Sequence, residues 1–433
     1  MRSNLKGSKL LAKNSLARNI SVLVSGTVLA QAIPIALQPV IKRLYSAEDF
    51  GVLDIYLKTL GILFVIFAMK YDMGVVLPKN RVKALLLLSL SVMSAFTLTI
   101  ISFLVIFFFE PQILSLLHFP EKYKFALYLL PFSTLFFSLF NTFNYLLIRD
   151  KKFVASSINK INRRAAEGTV QVSLAFVPAI KKAGLFVGDI LGNLIYFLSA
   201  YFQSFKSFRF DKRFFKPSLL KHIAKEYSDL PKYNIIPELL NTAFLAALSF
   251  LVLAKFDIKE VGYMELTQRI LAIPSAFISF SVGQVLLQKI SESANNRVQI
   301  TAEIRKIFLM LSAMAVPFVL VILLFATPIF SFVFGPQWAV SGLYSKYLVI
   351  FYALGFLISP LSQVLIALKK FKINAIWKVG RFLIIFPLFF IDFDDIETYL
   401  LSYSILGGLT YVVYYFIIYH HSKKFDKSLI INE

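Results

Sequence analysis

The sequence has no cysteine and few charged residues for its length. With no thiol among 433 residues, the chain can form neither a disulfide nor a thiolate-ligated metal site. Only 16% of the residues are charged, whereas a soluble domain carries about 25%. The 4 histidines, His118, His222, His420 and His421, fall in predicted loops and tails. These shortages exclude a disulfide scaffold and disfavour a soluble protein.

A phosphate-binding loop of the G-x-x-x-x-G-K-[ST] type is also missing from the sequence. The chain therefore does not bind the phosphates of ATP through that motif. We predict no cofactor. Energy for any transport would come from a proton or sodium gradient, from the membrane potential, or from removal of the product.

Apolar residues are abundant instead. The chain is 58% hydrophobic and contains 46 phenylalanines, and its mean hydropathy is +0.72. Runs such as Ala84–Phe109 and Ile307–Phe334 exceed the roughly 20 apolar residues that a membrane-spanning helix needs. Such uninterrupted runs favour helices over the short alternating segments of a β-barrel. The composition predicts an all-α, polytopic membrane protein.

The apolar segments and the short polar turns between them predict twelve spanning helices. Their predicted bounds are 19–41, 50–69, 84–109, 125–148, 165–180, 184–205, 233–254, 261–288, 307–334, 347–368, 373–391 and 398–419.

Lysine and arginine lie mainly on one side of these predicted spans. Most of the 46 fall in the two tails and in the even-numbered connections. The positive-inside rule then places both termini in the cytoplasm. Because the cations are spread over short segments, a nucleic-acid partner is disfavoured. Membrane topology and contact with anionic lipid heads account for most of them.

Two similar decapeptides divide the chain into halves. "DFGVLDIYLK" begins at Asp49 and "EVGYMELTQR" begins at Glu260; each starts a predicted even-numbered helix. Acids, a glycine and a final cation recur at matching positions. We therefore predict two six-helix lobes, residues 1–216 and 217–433, joined by the longest cytoplasmic connection and related as parallel repeats.

Four cations lie inside predicted spans: Lys58, Arg269, Lys378 and Arg381. At 1.5 Å per residue, Lys58 and Arg269 lie about 12 Å deep, near the bilayer midplane. A cation facing lipid at this depth costs several kcal/mol, from about 2.5 to over 10. We therefore expect the deep cations to face protein or a watery cavity that receives an anionic group. Lys378 is shallower and could instead reach the cytoplasmic surface.

Acids and one amide complete the candidate set. Asp54 and Glu265 precede Lys58 and Arg269 by four residues, the spacing of a helical ion pair. Such pairs could be structural, or could hold the cations until a ligand arrives. Asp54, Glu265 and Glu238 are candidates for ion coupling or pairing, with Glu238 or Asp54 preferred for coupling. Asp189 and Glu167 are further candidates, for which a hydrated interfacial position is the alternative. Gln31 lies on a predicted first helix that is rich in proline. Proline leaves backbone carbonyls without a partner, and such carbonyls are tolerated where the helix lines a cavity.

Three stretches resemble the bacterial O-antigen and capsule polysaccharide flippases. Leu44–Lys79 is similar to the second-helix region of that family, and "VGYMELTQRILAIPSAFISFSVGQVLLQKISE" is similar to its eighth helix. "FGPQWAVSGLYSKYLVIFYALGFLISPLSQVLIAL" resembles its loop and tenth helix.

The resemblance implies membership of the multidrug/oligosaccharidyl-lipid/polysaccharide (MOP) exporter superfamily. It implies a MATE-like fold of two pseudo-symmetric six-helix bundles around a central cationic cavity. The implied substrate is an undecaprenyl-diphosphate-linked oligosaccharide, moved between leaflets of the bacterial inner membrane without an enzymatic step. Lys58, Arg269, Arg381, Lys378 and Gln31 would bind it. A polysaccharide polymerase and a chain-length regulator are the implied protein partners.

Three other functions stay open from the sequence. A multidrug or cation exporter of the same superfamily would favour a cavity with unpaired acids. A membrane-bound transferase or polymerase of polysaccharide synthesis would favour an acidic metal site or a large outer loop. A scaffold without transport would have little reason to keep cations at mid-depth.

The predicted topology can be measured directly because the chain has no native thiol. Single substitutions Lys79→Cys and Lys181→Cys place a thiol in an even-numbered and an odd-numbered connection, respectively. In intact cells a membrane-impermeant maleimide should label the Lys181 variant alone, whereas lysed cells should give labelling of both. Labelling of the Lys79 variant in intact cells would invert the topology.

Overall fold

The computed structural model describes residues 29–204, 214 and 216–431. Throughout these ranges the regular secondary structure is helical, without a strand. The predicted first span begins at residue 19, so its start lies outside the described residues.

The helices of the amino-terminal part match several predicted spans. Their bounds are α1 (residues 29–44), α2 (Ala47–Phe67), α3 (Tyr71–Gly74), α4 (Arg81–Phe108), α5 (Glu110–Leu116), α6 (Lys124–Arg149), α7 (Phe153–Ala175), α8 (Gly184–Ser204), α9 (Pro217–Glu226) and α10 (Asp229–Lys255). The remaining helices are α11 (Ile258–Leu271), α12 (Phe280–Asn295), α13 (Thr301–Phe334), α14 (Ala339–Ile358), α15 (Gln363–Ala367), α16 (Phe371–Ile385) and α17 (Ile396–Ile431).

Eight of the described helical segments are long and apolar enough to cross a membrane. They contain α2, α4, α6, α8, α10, α13, α14 with α15, and α17. The other four predicted spans correspond to α1, α7, the α11–α12 segment and α16. The chain is thus a multi-pass helical membrane protein, and the predicted number of twelve spans is compatible with it.

The start of α2 is fixed by local hydrogen bonds. Ser46 and Asp49 form a capping box, in which the backbone N–H of Asp49 donates to Ser46 Oγ at 3.2 Å and the backbone N–H of Ser46 donates to Asp49 Oδ2 at 2.8 Å. Two amide groups that a helix start would leave unsatisfied are therefore paired. The cap sets the position of every later residue of α2, including Asp54 and Lys58.

The predicted eighth span, 261–288, is interrupted. Helix α11 ends at Leu271, a π-helix covers Ser275–Ser279, and α12 begins at Phe280. Pro274 lies between the two pieces, and proline cannot donate the hydrogen bond that a continuous helix requires. Sequence hydropathy does not reveal this break, because the residues on both sides are apolar.

Two predicted helix ends are corrected. Helix α7 begins at Phe153, twelve residues before the predicted 165, so Arg163 and Arg164 lie inside it. Helix α17 continues to Ile431, past the predicted 419, so His420 and His421 are helical residues. In both places charged side chains suggested a loop, whereas a helix keeps its backbone hydrogen bonds regardless of side-chain charge.

The chain divides into two compact units between Leu248 and Ser249. In the first unit α2 and α8 pack on α6, and α7 packs along α8. In the second unit α11 and α17 pack on α14, and α16 packs along α17. Predicted helices two, four, five and six therefore pack in the same order as predicted helices eight, ten, eleven and twelve. The lobe boundary predicted at residue 216 concerns which helices are related by symmetry, and it stays a prediction.

Glycine sets how closely two helices of the second unit approach. A Cβ added at Gly342 would lie 2.7 Å from the Ala326 oxygen and 2.7 Å from Thr327 Cα, both backbone atoms of α13. Real Cβ atoms do not come so close to backbone, so α13 and α14 would have to separate.

We predict opposite outcomes for two glycine-to-alanine changes in this unit. Gly342→Ala should destabilise the purified protein by about 1–3 kcal/mol through overpacking. Gly380→Ala meets nothing within 4 Å and should be neutral or stabilising by up to about 1 kcal/mol, because alanine favours the helix. Thermal unfolding in detergent measures both, and equal midpoints would contradict the packing argument.

Candidate substrate-binding site

The predicted acid–cation pairs form in both units. Lys58 Nζ lies 4.0 Å from Asp54 Oδ1 on α2. On α11 the guanidinium of Arg269 contacts Glu265, with Nε 2.5 Å from Oε1. Each pair uses the four-residue spacing that brings side chains together on one helix face.

Burial separates the two members of each pair. The side chains of Asp54 and Glu265 are 9% and 6% exposed, whereas those of Lys58 and Arg269 are 29% and 33% exposed. The acids thus lie within their units, and the cations reach the surface of the unit. A carboxylate therefore lies on one side of each cation. The exposed N–H groups of the cation lie at the surface of the unit.

The first acid of each decapeptide also has a matching partner. Tyr123 Oη donates to Asp49 Oδ1 at 2.6 Å, and Tyr344 Oη donates to Glu260 Oε2. Tyr123 immediately precedes α6 and Tyr344 lies in α14, the helices that pack on α2 and α11, respectively. The sequence repeat therefore has a counterpart in the tertiary contacts of each unit.

Arg381 is held among aromatic rings. Its guanidinium carbon lies 4.6, 5.5 and 5.7 Å from the ring centres of Tyr411, Trp377 and Phe351, respectively. These rings come from α17, α16 and α14, so the cluster exists only once the second unit has folded. Rings at such distances stabilise a cation by about 0.5–2 kcal/mol each. Three aromatic rings thus pack around the half-buried guanidinium.

The remaining predicted site residues are exposed. Lys378, one helical turn before Arg381 on α16, is exposed, and so are Gln31 on α1 and Glu238 on α10. Glu238 follows Pro237 and lies close enough to Tyr145 to act on it electrostatically. Lys58 belongs to the first unit, and Arg269, Lys378 and Arg381 belong to the second.

The sequence analysis missed a buried charge network in the first unit. Arg163 NH2 lies 3.7 Å from Asp189 Oδ1, and its guanidinium carbon lies 4.9 Å from the Phe137 ring centre. Asp189 also accepts hydrogen bonds from Ser133 Oγ at 2.5 Å and from Asn193 Nδ2 at 3.2 Å. Asp189 is 1% exposed. The hydrated interfacial position considered for this acid is therefore wrong.

The sequence analysis also missed three charged residues that lie near the ends of predicted helices. Arg164 pairs with Glu167 at 2.7 Å beside the network. Lys42 is fully buried with Nζ 3.2 Å from the centre of the Phe50 ring. Asp72, between α2 and α4, accepts a hydrogen bond from Asn141 at 2.5 Å, and burial raises the pKa of its carboxyl group. Charge alone suggested exposed connections for these residues, and the Asn141 contact of Asp72 comes from a helix 69 residues away in sequence.

An apolar pocket of about 380 Å³ follows Arg269 along the chain. Its walls come from the α11–α12 break, α13 and α14, and include Leu271, Phe277, Phe318 and Phe356. The pocket is lined almost wholly by apolar side chains.

The sequence has a family assignment. The family described as "Polysaccharide biosynthesis protein" matches residues 40–342. The chain belongs to the polysaccharide biosynthesis protein family. Its matched region contains both decapeptides, whereas Lys378 and Arg381 lie beyond it. No curated protein matches the chain.

Solved structures of the MOP superfamily share the fold. An inward-facing multidrug resistance MATE transporter of that superfamily aligns with a TM-score of 0.71 at 12% identity, over 92% of this chain and 99% of that chain. The lipid II flippase MurJ in an inward closed conformation aligns with a TM-score of 0.66 at 16% identity, over 94% and 90%. A MOP superfamily transporter from Pyrococcus furiosus, described as having a binding pocket of reverse polarity, aligns with a TM-score of 0.60 at 12% identity, over 94% and 95%. The resemblance to this superfamily and the predicted all-α, MATE-like fold are therefore confirmed.

The buried network of the first unit should be measurable as stability. Asp189→Asn keeps the shape but removes the carboxylate that faces Arg163, so it should cost about 3 kcal/mol or more. Asp392→Asn breaks a pair with Lys255 in which the aspartate is 95% exposed, and it should barely change the unfolding midpoint because water screens such pairs. Equal midpoints for the two variants in thermal unfolding would show that the network does not stabilise the fold.

Proposed function

We propose that this protein is a flippase for undecaprenyl-diphosphate-linked oligosaccharides. It moves the repeat unit from the cytoplasmic to the outer leaflet of the bacterial inner membrane by alternating access, with both termini in the cytoplasm. The family assignment to polysaccharide biosynthesis and the MOP fold support a transporter or flippase in this pathway. The substrate class rests on the charges.

The observation that carries the proposal is the pair of acid-supported cations at matching positions of α2 and α11. A diphosphate bears negative charge and strong acceptor oxygens, which bind lysine and arginine through charge-assisted hydrogen bonds. Lys58 and Arg269 are partly exposed at predicted mid-depth. At that depth, contact with hydrocarbon raises the free energy of a cation, whereas a watery cavity or an anionic ligand lowers it.

Each candidate residue has a distinct role in this mechanism. Asp54 and Glu265 hold their cations in place before the substrate arrives. Lys58 and Arg269 replace water around the diphosphate, and Arg381, oriented by its aromatic rings, meets the phosphate or an acidic sugar. Gln31 and Lys378 line the route. Glu238 couples the cycle to a proton or sodium gradient.

The apolar pocket after Arg269 supports an amphiphilic substrate. Hydrocarbon walls begin two residues past Arg269 in sequence, at Leu271. An isoprenoid tail that entered this pocket would gain about 25 cal/mol per Å² of apolar surface that it buries. A free sugar phosphate would leave the pocket unused.

The same charges argue against the rival functions. In each pair the acid is buried and the cation is the exposed partner, which is the reverse of what a cation exporter would offer its substrate. The MOP fold gives no support to a transferase or polymerase. A polysaccharide polymerase and a chain-length regulator would act on the product outside.

We predict that Arg269→Ala and Lys58→Ala each impair export. Loss of a hydrogen bond to a charged group costs about 1.5–3 kcal/mol, so substrate affinity should fall roughly tenfold or more per site. Accumulation of the lipid-linked oligosaccharide in the inner leaflet, at equal protein level, measures the effect. Lys259→Ala is the matched control, since Lys259 is an exposed cation on the same helix α11.

Two outcomes would overturn the assignment of these cations. If export survives both alanine changes, Lys58 and Arg269 are packing elements. If Lys58→Ala abolishes export but Asp54→Lys combined with Lys58→Asp supports it, the ion pair itself is required. Arg269→Lys should retain part of the activity, because it keeps the charge but loses the planar fork of donors.

A further inference from the structure

A second pocket in the carboxy-terminal unit is cationic. It has a volume of about 380 Å³ and lies where α12 and α15 end, beside the last turns of α17. Lys369 and Lys370 line it from the turn after α15, and His421 and Lys424 line it from α17. None of these residues belongs to the site proposed for the transported substrate.

Among the residues that the structure describes, none of those lining the pocket is an acid. Across residues 29–204, 214 and 216–431, no ion pair involves Lys369, Lys370, His421 or Lys424. The nearest acid on α17, Asp426, accepts hydrogen bonds from the backbone N–H groups of Ile300 and Thr301 at 2.8 and 3.0 Å. It is therefore occupied with the start of α13.

The fold holds these like charges together. Lys369 N–H donates to the Ile366 oxygen at 3.0 Å and Lys370 N–H donates to the Leu365 oxygen at 2.7 Å, which fixes the turn. Lys370 and Lys424 both act electrostatically on His421. Cations confined in one concavity repel one another, and an anion bound among them removes that cost.

A helix start adds to the same field. Lys370 is the cap residue of α16, which runs for 15 residues, and its side chain does not cap the helix. The first N–H groups of a helix lack intrahelical partners, and the helix dipole leaves partial positive charge there. The pocket thus combines side-chain cations with a helix terminus of the same sign.

The rest of the lining suits an amphiphile. Ala294, Ala367, Leu368 and Phe425 supply apolar surface next to the cations. The pocket also lies at the end of the unit that carries the C-terminal tail, which the positive-inside rule assigns to the cytoplasmic leaflet. Basic pockets between spanning helices on that side bind anionic lipid heads.

We propose that this pocket binds the phosphate group of an anionic phospholipid of the surrounding membrane. The pocket lining shares no residue with the site proposed for the transported substrate, so the proposal does not depend on the flippase assignment. The bound lipid would neutralise the cluster and tie the α15–α16 turn to α17.

The test compares the full-length protein in micelles doped with phosphatidylglycerol or with phosphatidylcholine. Phosphatidylglycerol should raise the thermal unfolding midpoint of the wild type, and phosphatidylcholine should not. Lys370→Gln with Lys424→Gln should lower the affinity for phosphatidylglycerol roughly thirtyfold, at about 1 kcal/mol per lysine. Lys423→Gln with Lys427→Gln removes the same charge from α17 outside the pocket lining and should keep the shift.

Each outcome decides the proposal. If both double variants lose the shift equally, the protection comes from net charge and the pocket is not a site. If inorganic phosphate alone gives the same pocket-dependent protection as the lipid, the ligand is free phosphate and the lipid proposal is wrong. If the pocket double variant does not fold, Lys369→Gln alone should still weaken the phosphatidylglycerol response relative to Lys423→Gln alone, and an unchanged response would refute the site.

Discussion

The cost of placing a charged group in hydrocarbon governs the arrangement of this protein. A lysine or arginine at mid-depth needs a carboxylate, an aromatic face, water or an anionic ligand beside it. The structure uses the first two in different places: carboxylates support Lys58 and Arg269, and rings surround Arg381. Because the side chains of Lys58 and Arg269 stay 29% and 33% exposed, both remain accessible to the anionic ligand proposed above.

The two units meet this constraint in the same way with few identical residues. In each, an acid near the start of the helix accepts a hydrogen bond from a tyrosine, and a second acid one to two turns later pairs with a cation. Aspartate and lysine serve in one unit, and glutamate and arginine serve in the other. What repeats is therefore charge, spacing and packing partner. Both halves therefore obey the same constraints of helix geometry and of the surrounding membrane.

The units also differ in where they bury additional charge. The first unit holds the Arg163–Asp189 network between α6, α7 and α8, and the second holds an unneutralised cluster at the ends of α15 and α17. The network sets a cation against a carboxylate within one unit, so it favours stability. A cluster without an acid is satisfied only from outside, so it favours binding. The balance of charges within a cluster thus separates a structural role from a binding role.

Hydropathy, spacing and charge bias determined much of this protein from the sequence alone. The apolar runs predicted a helical membrane protein, the four-residue spacing predicted both ion pairs, and the paired decapeptides predicted related halves. These features are local, so each is fixed within a few helical turns. The break at Pro274 follows from a local proline that hydropathy does not register, whereas the Arg163–Asp189 pair and the aromatic rings at Arg381 were decided by tertiary structure. They depend on which distant helices pack together. Phe351, Trp377 and Tyr411 surround Arg381 only after α14, α16 and α17 have met. No short-range pattern encodes that packing.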